Sequence, residues 1–344
     1  MKTAHSAGIL PSQSIQALID RGAISSATPF DADQVQPASL DLRLAGRAWR
    51  VRASFLPGRS RRVTERIADV AMHELDLTSG AVLERGCVYI AELQERVALP
   101  RGIAGRANPK SSTGRVDVFV RLLTDHGPVF DDVAEGYDGP LYLEIAPQTF
   151  SILVRPGTRL NQLRLKRGTP AVLSTRNVGV DLTGELVGFR ARRHAGVIDI
   201  DREDGHDPRD FWEALEARPN SHGAGELLLD PGEFYILASK EAVEIPSLEA
   251  AEMTPIDPSV GEFRVHYAGF FDPGFGTEEA KGQGSKGVLE VRSHETPFLL
   301  EDGQTVARLV YEPLTDRPSR LYGEDGSHYQ RQGLKLSKHF RAWG

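Results

Sequence analysis

Two stretches of this chain decide its fold: LERGCVYIAELQERVALP at residues 83–100 and LDPGEFYILASKEAVEIP at residues 229–246. They share residue types at one constant interval, among them Gly86 and Gly232 (232 − 86 = 146), Tyr89 and Tyr235, Val97 and Val243, and Pro100 and Pro246. The interval continues downstream, where LYLEIA at 141–146 falls on GVLEVR at 287–292, and RPGTRLNQLRL at 155–165 falls on EDGQTVARLVY at 301–311. A register that continues so far without slipping indicates an internal duplication, because unrelated strand patterns would drift.

Short runs of apolar or alternating residues, separated by turn formers such as PRG, DHGP and YDGP, predict a mainly β, antiparallel fold. Helical periodicity is confined to SIQALIDRG near residue 14, with Ser12 as N-cap and Gly22 as stop, and to DPRDFWEALEA from Asp207. The resulting domain prediction has five parts: an N-terminal extension at 1–79, one β-rich copy at 80–168, a linker region at 169–225, a second copy at 226–314, and a polar C-terminal lid or tail at 315–344, expected to be poorly ordered until it binds a ligand.

Bulk composition narrows the class of protein. The 344 residues are 40% hydrophobic and 26% charged with a net charge of −7, a globular balance that argues against a nucleic-acid or membrane surface. A single cysteine, Cys87, excludes a disulfide framework and a cysteine-rich zinc site. The ten histidines lack H-x-x-H or H-E-x-x-H spacing, so no metal ligands are predicted, and His73 and His126 are expected at the surface. Neither a signal peptide nor a membrane span is predicted, and the expected location is cytoplasmic.

The loop NPKSSTGR at 108–115 combines cations, hydroxyls and a flexible turn: Lys110, Ser111, Ser112, Gly114 and Arg115. This composition suits an oxyanion, although the same residues also build ordinary turns. The second copy has Ile256, Asp257, Pro258, Val260 and Gly261 at the matching positions, and Arg308 opposite Gln162. We therefore predict that only the first copy holds phosphate.

The reverse holds for the hairpin YAGFFDPGFG at 267–276, which carries Phe271 and Asp272 in the second copy. The first copy keeps the glycine–aromatic step at Gly136 but has Ala134 and Glu135 in place of Asp-Pro. These complementary losses predict one composite site that draws on both copies; the alternative is that both segments are ordinary β-turns.

Together these motifs resemble the dCTP deaminases of the trimeric dUTPase-like superfamily, in the longer, two-domain form. The resemblance rests on the order and spacing of six segments: QPASLDLRL at 36–44, KSSTGR with Lys110 for the first arginine of R-S-S-L-A-R, AGFFDPGFG as the base-binding hairpin, LEI or LEV as the strand of the catalytic glutamate, PGTRLNQL for a G-M-x-I-x-Q motif, and YQRQG at 329–333 as a C-terminal lid. It implies two tandem dUTPase-like, jelly-roll-like β-barrel domains with a few short helices.

The implied activity is hydrolytic deamination of dCTP to dUTP and ammonia, which supplies dUMP and dTTP synthesis. Zinc nucleobase deaminases need H-x-E with P-C-x-x-C, which one cysteine rules out, so some other group must activate the water. The resemblance implies a glutamate, which can move the proton from water to the leaving amine if it is buried and its pKa is tuned. Arg115 and Ser111 would orient the water and the carboxylate, while Ser111, Ser112, Gly114 and Lys110 would hold the triphosphate. Magnesium is expected on the phosphates, held mainly by substrate oxygens and not catalytic, and zinc is not expected.

Two glutamates occupy the same repeat position, Glu144 and Glu290. Glu290 is favoured as the catalytic base because the intact hairpin with Asp272 lies in its copy. Glu144 remains the alternative because Ser111 and Arg115 lie in its own copy, and either could instead be a strand carboxylate paired with an arginine. The remaining predicted substrate contacts are Phe271, Gln162, Tyr329, Gln332 and Lys335; for the last three, the alternative is a solvated basic end.

Two further segments are assigned structural roles. Asp41 and Arg43 alternate with leucines in PASLDLRL, so both face one side of a strand, where an ion pair is favoured over ligand contact. HAGVIDIDRED at 194–204 resembles a dUTPase hairpin but lies outside the repeat register, and we expect a linker strand there.

Two rival functions remain. One is a dUTPase, or a bifunctional dCTP deaminase–dUTPase; the other is a non-catalytic nucleotide-binding regulator. In every case the expected partner is a small-molecule nucleotide, with no nucleic acid and no membrane, and the expected assembly is a homo-oligomer, either a trimer or another ring.

Overall fold

The computed structural model describes residues 6–255, 263–265 (backbone only), 269–293, 295–324 and 327–344. The chain divides into two compact units. The first comprises Met1–Ala171, Val197–Arg202 and Glu312–Arg320, and the second comprises Val172–Gly196, Glu203–Tyr311 and Leu321–Gly344. The prediction of a mainly β fold with a few short helices is confirmed.

Within its described residues, the first half of the chain contains three helices and thirteen strands. The helices are α1 (Ser12–Asp20), α2 (Val63–Val70) and the single turn α3 (Ser111–Gly114). The strands are β1 (Gly8–Ile9), β2 (Ile24–Ser26), β3 (Leu40–Leu42), β4 (Leu44–Val51), β5 (Ala71–Asp76), β6 (Ala81–Leu83), β7 (Val88–Ala98), β8 (Ile103–Pro109), β9 (Val118–Thr124), β10 (Asp132–Val133), β11 (Asp138–Pro147), β12 (Ile152–Val154) and β13 (Asn161–Arg167).

The second half contains a 3-10 turn, Pro208–Asp210, and the remaining strands. These are β14 (Ser174–Gly179), β15 (Gly188–Ala191), β16 (Ile198–Asp199), β17 (Trp212–Leu215), β18 (Arg218–Pro219), β19 (Gly225–Leu229), β20 (Phe234–Ala242), β21 (Glu249–Pro255), β22 (Phe263–Val265), β23 (Phe270–Phe271), β24 (Lys286–Ser293), β25 (Phe298–Glu301) and β26 (Thr305–Pro313).

Each unit is built from three sheets. In the first unit the described strand orders are β1-β13-β8-β10 with β3 beside β13, β5-β4-β7-β11-β9 with β2 beside β7, and β16-β12-β6. In the second unit they are β14-β26-β21-β23, β17-β15-β20-β24-β22 and β18-β19-β25. Leu141, Leu143 and Ile145 of β11 are fully buried on one face of the sheet, and Tyr142 and Glu144 on the opposite face are buried as well, so both faces of this strand are covered.

Backbone features recur at the sequence interval of the repeat. The hydroxyl of Tyr89 accepts a hydrogen bond from the Glu84 amide at 3.1 Å, and that of Tyr235 accepts one from the Asp230 amide at 2.8 Å (230 − 84 = 146). Strand β21 covers the same positions as β8 at this interval (249 − 103 = 146 and 255 − 109 = 146). These shared contacts explain why both copies keep the tyrosine.

The helix at the N-terminus is confirmed, with one correction at its start. Ile15 and Leu18 of α1 are buried, and Gly22 lies just beyond the helix at φ +75°, a left-handed conformation that suits a glycine stop. Ser12 is the first helical residue, however, and the N-cap is Pro11. Ser12 instead directs its hydroxyl to that of Ser319, at 3.0 Å.

The second predicted helix, from Asp207, is wrong. Only a 3-10 turn forms, capped by the Asp207 side chain, and the chain then enters strand β17. Trp212 is fully buried and pairs with Ala191 of β15. Burial of a tryptophan in a sheet outweighs the weak local helix preference of DFWEAL.

Two segments are more ordered than the sequence predicts. The expected linker region at 169–225 carries strands that pair within the second unit, except for β16, which pairs in parallel with β12 of the first unit. The described C-terminal residues, 327–344, are not a loose tail, because the Phe340 ring lies 5.3 Å from that of Phe211 and is buried. Residues 312–320 belong to the first unit.

Candidate functional site

The predicted phosphate loop is a single helical turn held at both ends by the backbone. The amides of Thr113 and Gly114 donate to the carbonyl oxygen of Lys110, at 2.9 and 3.0 Å. The Lys110 amide in turn donates to the carbonyl oxygen of Leu160, at 3.0 Å. Ser112, Gly114 and Arg115 are buried, so the loop is an integral part of the first unit.

Lys110 already has a protein partner for its charge. Its ammonium forms an ion pair with Asp41, whose side chain is only 2% exposed. Arg159 lies 3.7 Å from the same carboxylate and also pairs with Asp31, at 2.6 Å. Lys110 therefore anchors the loop to strand β3, which limits the charge that it can offer to a phosphate.

The expected Asp41–Arg43 ion pair is wrong in its partners. Arg43 pairs with Glu95, Nε to Oε1 at 2.8 Å, and that carboxylate also accepts from the amide nitrogen of Gln34 at 2.8 Å. Both residues are buried and each neutralises a different residue, because Asp41 contacts Lys110 of the loop at 110–115 whereas Arg43 contacts Glu95 of β7. The expectation of a structural role holds for both.

Gln162 contacts the strand residue that leads into the loop at 110–115. Its amide nitrogen lies 3.4 Å from the carbonyl oxygen of Pro109, and its amide oxygen accepts from the Ser39 hydroxyl at 3.1 Å. It pairs across the sheet with Asn108 and Asp41. These contacts position the loop; whether Gln162 also contacts substrate stays a prediction.

Glu144 is a buried acid on the covered face of its sheet. It is 3% exposed and lies between Ile90 of β7 and Arg121 of β9. Tyr142, on the same strand face, belongs to an apolar cluster with Val63 of α2. Segment 52–70 thus runs over this face, and Glu144 lies beneath part of the protein's own chain.

Burial raises the pKa of Glu144, although a hydrogen bond with Ser54 and the charge of Arg121 act in the opposite direction. Within the described part of the chain, its Oε2 atom has no hydrogen-bond partner. The guanidinium of Arg121 stacks over Phe119 and Phe130, 4.6 and 4.9 Å from the ring centroids. Two aromatic rings therefore contact the guanidinium of Arg121, the residue that pairs with Glu144 across the sheet.

Asp131 is a second perturbed acid, which the sequence prediction missed. It has φ +63°, and its carboxylate accepts a hydrogen bond from the Leu122 amide at 2.8 Å. Burial raises its pKa to about 6, and the charge of Glu144 contributes further in the same direction. It lies in DHGPVFDDVAEGYDG, where no motif or repeat position distinguishes it from the neighbouring Asp132.

The hairpin of the second unit is tightly folded around Asp272. The Phe275 amide donates to the Asp272 carbonyl oxygen at 3.2 Å, and the Gly274 amide donates to that of Ile245 at 2.9 Å. The rings of Phe271 and Phe275 meet edge to face, 5.2 Å apart. Asp272 itself is buried.

Glu290 occupies β24 and is 6% exposed. It lies opposite Ile236, as Glu144 lies opposite Ile90 (236 − 90 = 146). Val288 and Arg292 lie on the same face of the strand, since side chains alternate. The guanidinium of Arg292 is 5.9 Å from the ring centroid of Phe234.

The three predicted lid residues have partners within the second unit. The amide nitrogen of Gln332 donates to the Lys286 carbonyl oxygen, at 2.8 Å. The Tyr329 hydroxyl accepts from the Lys338 amide at 3.2 Å, and the Lys335 ammonium lies 5.7 Å from the Tyr329 ring centroid. A neighbour that the sequence prediction did not single out, Gln330, forms side-chain hydrogen bonds with the backbone of Gly276 and Tyr322.

Some predictions concern residues that lie outside the described ranges. The predicted counterparts of the loop at 110–115, residues 256–258, 260 and 261, lie outside the described residues, as do Tyr267 and Ala268 of the hairpin.

His73 and His126 are exposed, as predicted. No cluster of three His, Cys, Asp or Glu side chains suited to a metal occurs in the described ranges, and no helix there is long and apolar enough to span a bilayer.

The fold and the strand glutamates define a class: a mainly β protein of two units with one buried acid at the same strand position in each. The model of the 2'-deoxycytidine 5'-triphosphate deaminase N-terminal domain matches residues 6–169, and that of the C-terminal domain of the same enzyme matches residues 158–340. The chain therefore belongs to the 2'-deoxycytidine 5'-triphosphate deaminase family.

Individual relatives agree with this assignment. The "dCTP deaminase, dUMP-forming" of Parafrankia sp. is 34% identical over 168 residues, which are 47% of this chain and 78% of that protein. The protein of the same description from Streptomyces coelicolor is 33% identical over 165 residues, 47% of this chain and 81% of that protein. The crystal structure of 2'-deoxycytidine 5'-triphosphate deaminase from Agrobacterium tumefaciens is 52% identical with a TM-score of 0.85, and covers 90% of this chain and 100% of that one.

Proposed function

We propose that this protein catalyses the hydrolytic deamination of dCTP. The observation that carries the proposal is the pair of family matches, which together run from residue 6 to residue 340. The Agrobacterium tumefaciens deaminase supports it, since its identity of 52% extends over nearly the whole chain.

Glu290 is proposed as the base that activates water. In hydrolytic deamination, water adds to C4 of the cytosine ring, and the proton that it loses must reach the departing amine. One carboxylate can accept the proton and return it, at a gain of roughly 10²–10⁴ in rate. Glu290 lies in the unit that contains the hairpin around Asp272, the segment proposed to bind the base.

Glu144 is the alternative base, and its surroundings argue against it. The face that carries it also carries Tyr142, which packs with Val63 and Ile67 in one apolar cluster. A general base must come within hydrogen-bond reach of its substrate or of one intervening water. Glu144 is buried at 3% exposure and is hydrogen-bonded with Ser54, but Glu290 at 6% is comparably buried, so the preference for Glu290 rests mainly on the hairpin in its own unit.

The loop at 110–115 is proposed to hold the triphosphate. Ser111 and Ser112 supply hydroxyls, and Arg115 supplies a guanidinium that suits phosphate oxygens. Lys110 is assigned mainly to anchoring, because Asp41 already compensates its charge. A magnesium ion would enter with the nucleotide and be held mainly by the phosphate oxygens, since Mg²⁺ usually takes most of its ligands from substrate and water.

The product needs its own test. The relatives from Parafrankia sp. and Streptomyces coelicolor are described as dUMP-forming, which favours dUMP, ammonia and pyrophosphate over dUTP and ammonia. We therefore propose deamination as the first step and hydrolysis of the nascent dUTP as a second candidate activity of this chain.

Incubation of the purified protein with dCTP and Mg²⁺, and separately with dUTP, decides among the candidates. Nucleotides are separated by ion exchange, while ammonia and pyrophosphate are measured enzymatically. Ammonia with dUTP indicates a simple deaminase, ammonia with dUMP and pyrophosphate indicates the bifunctional enzyme, and pyrophosphate from dUTP without ammonia from dCTP indicates a dUTPase. Binding of dCTP without any turnover would overturn the proposal in favour of a regulator. Light scattering on the same sample tests the proposed homo-oligomer.

A further inference from the structure

The side chain of Gln330 joins three segments of the second unit. Its amide oxygen accepts a hydrogen bond from the Gly276 amide at 3.0 Å. Its amide nitrogen lies 3.2 Å from the carbonyl oxygens of Gly274 and Ala280, and 3.1 Å from that of Tyr322. One side chain thus connects three segments: the hairpin with Gly274 and Gly276, the loop after it with Ala280, and the C-terminal segment at Tyr322.

Two glycines, Gly282 and Gly323, leave space for the Gln330 side chain. A Cβ atom on Gly282 would lie 2.5 Å from the Gln330 carboxamide carbon, and one on Gly323 would lie 3.0 Å from its nitrogen. Both distances are too short for a substituted residue without displacement of the amide. Two glycines therefore line the slot in which the Gln330 amide lies.

A glutamine side chain suits both kinds of partner. Its oxygen accepts from the Gly276 amide, and the two hydrogens of its nitrogen are shared among the three carbonyl oxygens. A glutamate would keep the acceptor but would place a carboxylate against carbonyl oxygens. A side chain that made no hydrogen bonds would leave all four backbone groups without this partner.

Arg331 and Gln332, which follow Gln330, are hydrogen-bonded to residues at or just before the start of β24, the strand that carries the proposed base. The Arg331 amide donates to the Ser285 hydroxyl at 2.8 Å. The Lys286 amide donates to the Gln332 carbonyl oxygen at 2.8 Å, and Lys286 is the first residue of the strand that contains Glu290. Residues 330–332 are thus bonded to the hairpin at one end and to the start of β24 at the other.

We propose that Gln330 is a positioning residue for the deamination: it fixes the hairpin around Asp272 relative to the strand that carries Glu290. This inference rests on the proposed function, since the hairpin matters to catalysis only if it binds the cytosine. Gln330 is not assigned any contact with the nucleotide, and it acts through the backbone of the hairpin.

The test compares three variants of the full-length protein: Gln330→Ala, Gln330→Glu and a matched control, Gln304→Ala. Gln304 also lies in the second unit and caps a turn, where its side chain accepts from the Glu301 amide at 3.1 Å. Hydrogen exchange by mass spectrometry over residues 269–286 reports how well the hairpin amides are protected, and kcat and KM for dCTP report the effect on catalysis.

We expect faster exchange over 269–286 in both Gln330 variants, with the rest of the second unit protected as in the wild type. We expect kcat/KM for dCTP to fall by about tenfold to a hundredfold, because a small misplacement of a binding element costs that much. The larger part of the fall should be in KM, with Gln330→Glu at least as impaired as Gln330→Ala and Gln304→Ala like the wild type.

Two results overturn the inference separately from the proposed function. Unchanged exchange over 269–286 in both Gln330 variants shows that this side chain does not hold the hairpin, whether or not the wild type is active. Faster exchange with unchanged kcat and KM in an active enzyme shows that the tie is structural only. A wild type without dCTP turnover instead contradicts the proposed function, while the exchange result still decides whether the tie exists.

Discussion

Replacing Glu290 with glutamine removes the proposed base and little else. Glu290 is 6% exposed on a paired strand, opposite Ile236, and glutamine has nearly the same volume, so the sheet should be retained. Glutamine cannot accept a proton from water. We therefore expect kcat to fall by roughly 10²–10⁴, a loss of about 3–5 kcal/mol of transition-state stabilisation.

Glu144→Gln is the matched control because it makes the same change at the same strand position of the other unit. We expect near wild-type turnover and a gain in stability. The folded-state pKa of Glu144 is raised, so its ionised form destabilises the fold as pH rises from the unfolded pKa through the folded one. Glutamine removes that penalty, so the variant should exceed the wild type in stability at pH 8 and match it at a pH below the unfolded pKa.

The assay follows ammonia release from saturating dCTP for both variants, together with urea unfolding at pH 4 and pH 8. Loss of turnover in Glu290→Gln with an unchanged unfolding curve supports the assignment. Full turnover in Glu290→Gln with none in Glu144→Gln would exchange the two roles. Activity retained in both variants would mean that neither strand glutamate is the base.

Three further predictions concern other positions. Burial raises the pKa of Asp131 to about 6, so the folded state disfavours its ionised form. Asp131→Asn should therefore stabilise the protein by at most about 3 kcal/mol at pH 8 and by almost nothing near pH 4. Equal urea midpoints of wild type and variant at pH 8 would contradict this. Lys110→Met should cost at most about 3 kcal/mol in urea unfolding, because buried Asp41 loses its lysine but keeps Arg159 at 3.7 Å, and adding Asp41→Asn should recover most of the loss; an additive double variant would refute the pairing. Gly276→Ala should lower Tm and speed exchange in the hairpin, because its φ is +71° and a Cβ would lie 1.8 Å from a backbone oxygen, whereas Gly333→Ala, with open space around it, should not.

The fold was predictable where the chain repeats a pattern that the backbone itself requires. The hydroxyl groups of Tyr89 and Tyr235 accept equivalent backbone hydrogen bonds, so the tyrosine is visible in both copies of the sequence. The helix at Asp207 was mispredicted because a short apolar run does not distinguish a helix from a buried strand. What decides its conformation is the pairing of Trp212 with Ala191, a contact that local periodicity cannot reveal.

The candidate site was predictable to the extent that its residues form contiguous motifs. The loop at 110–115 was recognisable from composition, but the partner of Lys110 was not, because Asp41 belongs to a different motif 69 residues away. Gln330 was missed because its partners are backbone atoms, which any sequence provides. Asp131 was missed for a similar reason: its pKa depends on burial and on Glu144, neither of which a local pattern shows.

Glu144 and Glu290 have equivalent strand pairing, while their surroundings differ. Glu144 and Glu290 each lie opposite an isoleucine on the neighbouring strand, so the backbone position is common to both. Near Glu144 an apolar cluster includes Tyr142 of the same strand and Val63 of α2, and burial raises the pKa of the acid. In the unit of Glu290, residues 330–332 are bonded both to a hairpin and to the start of the glutamate's own strand. Because a base needs access and a fixed substrate as much as it needs a carboxylate, equal strand positions do not imply equal roles, and the difference must be sought in the segments around each strand.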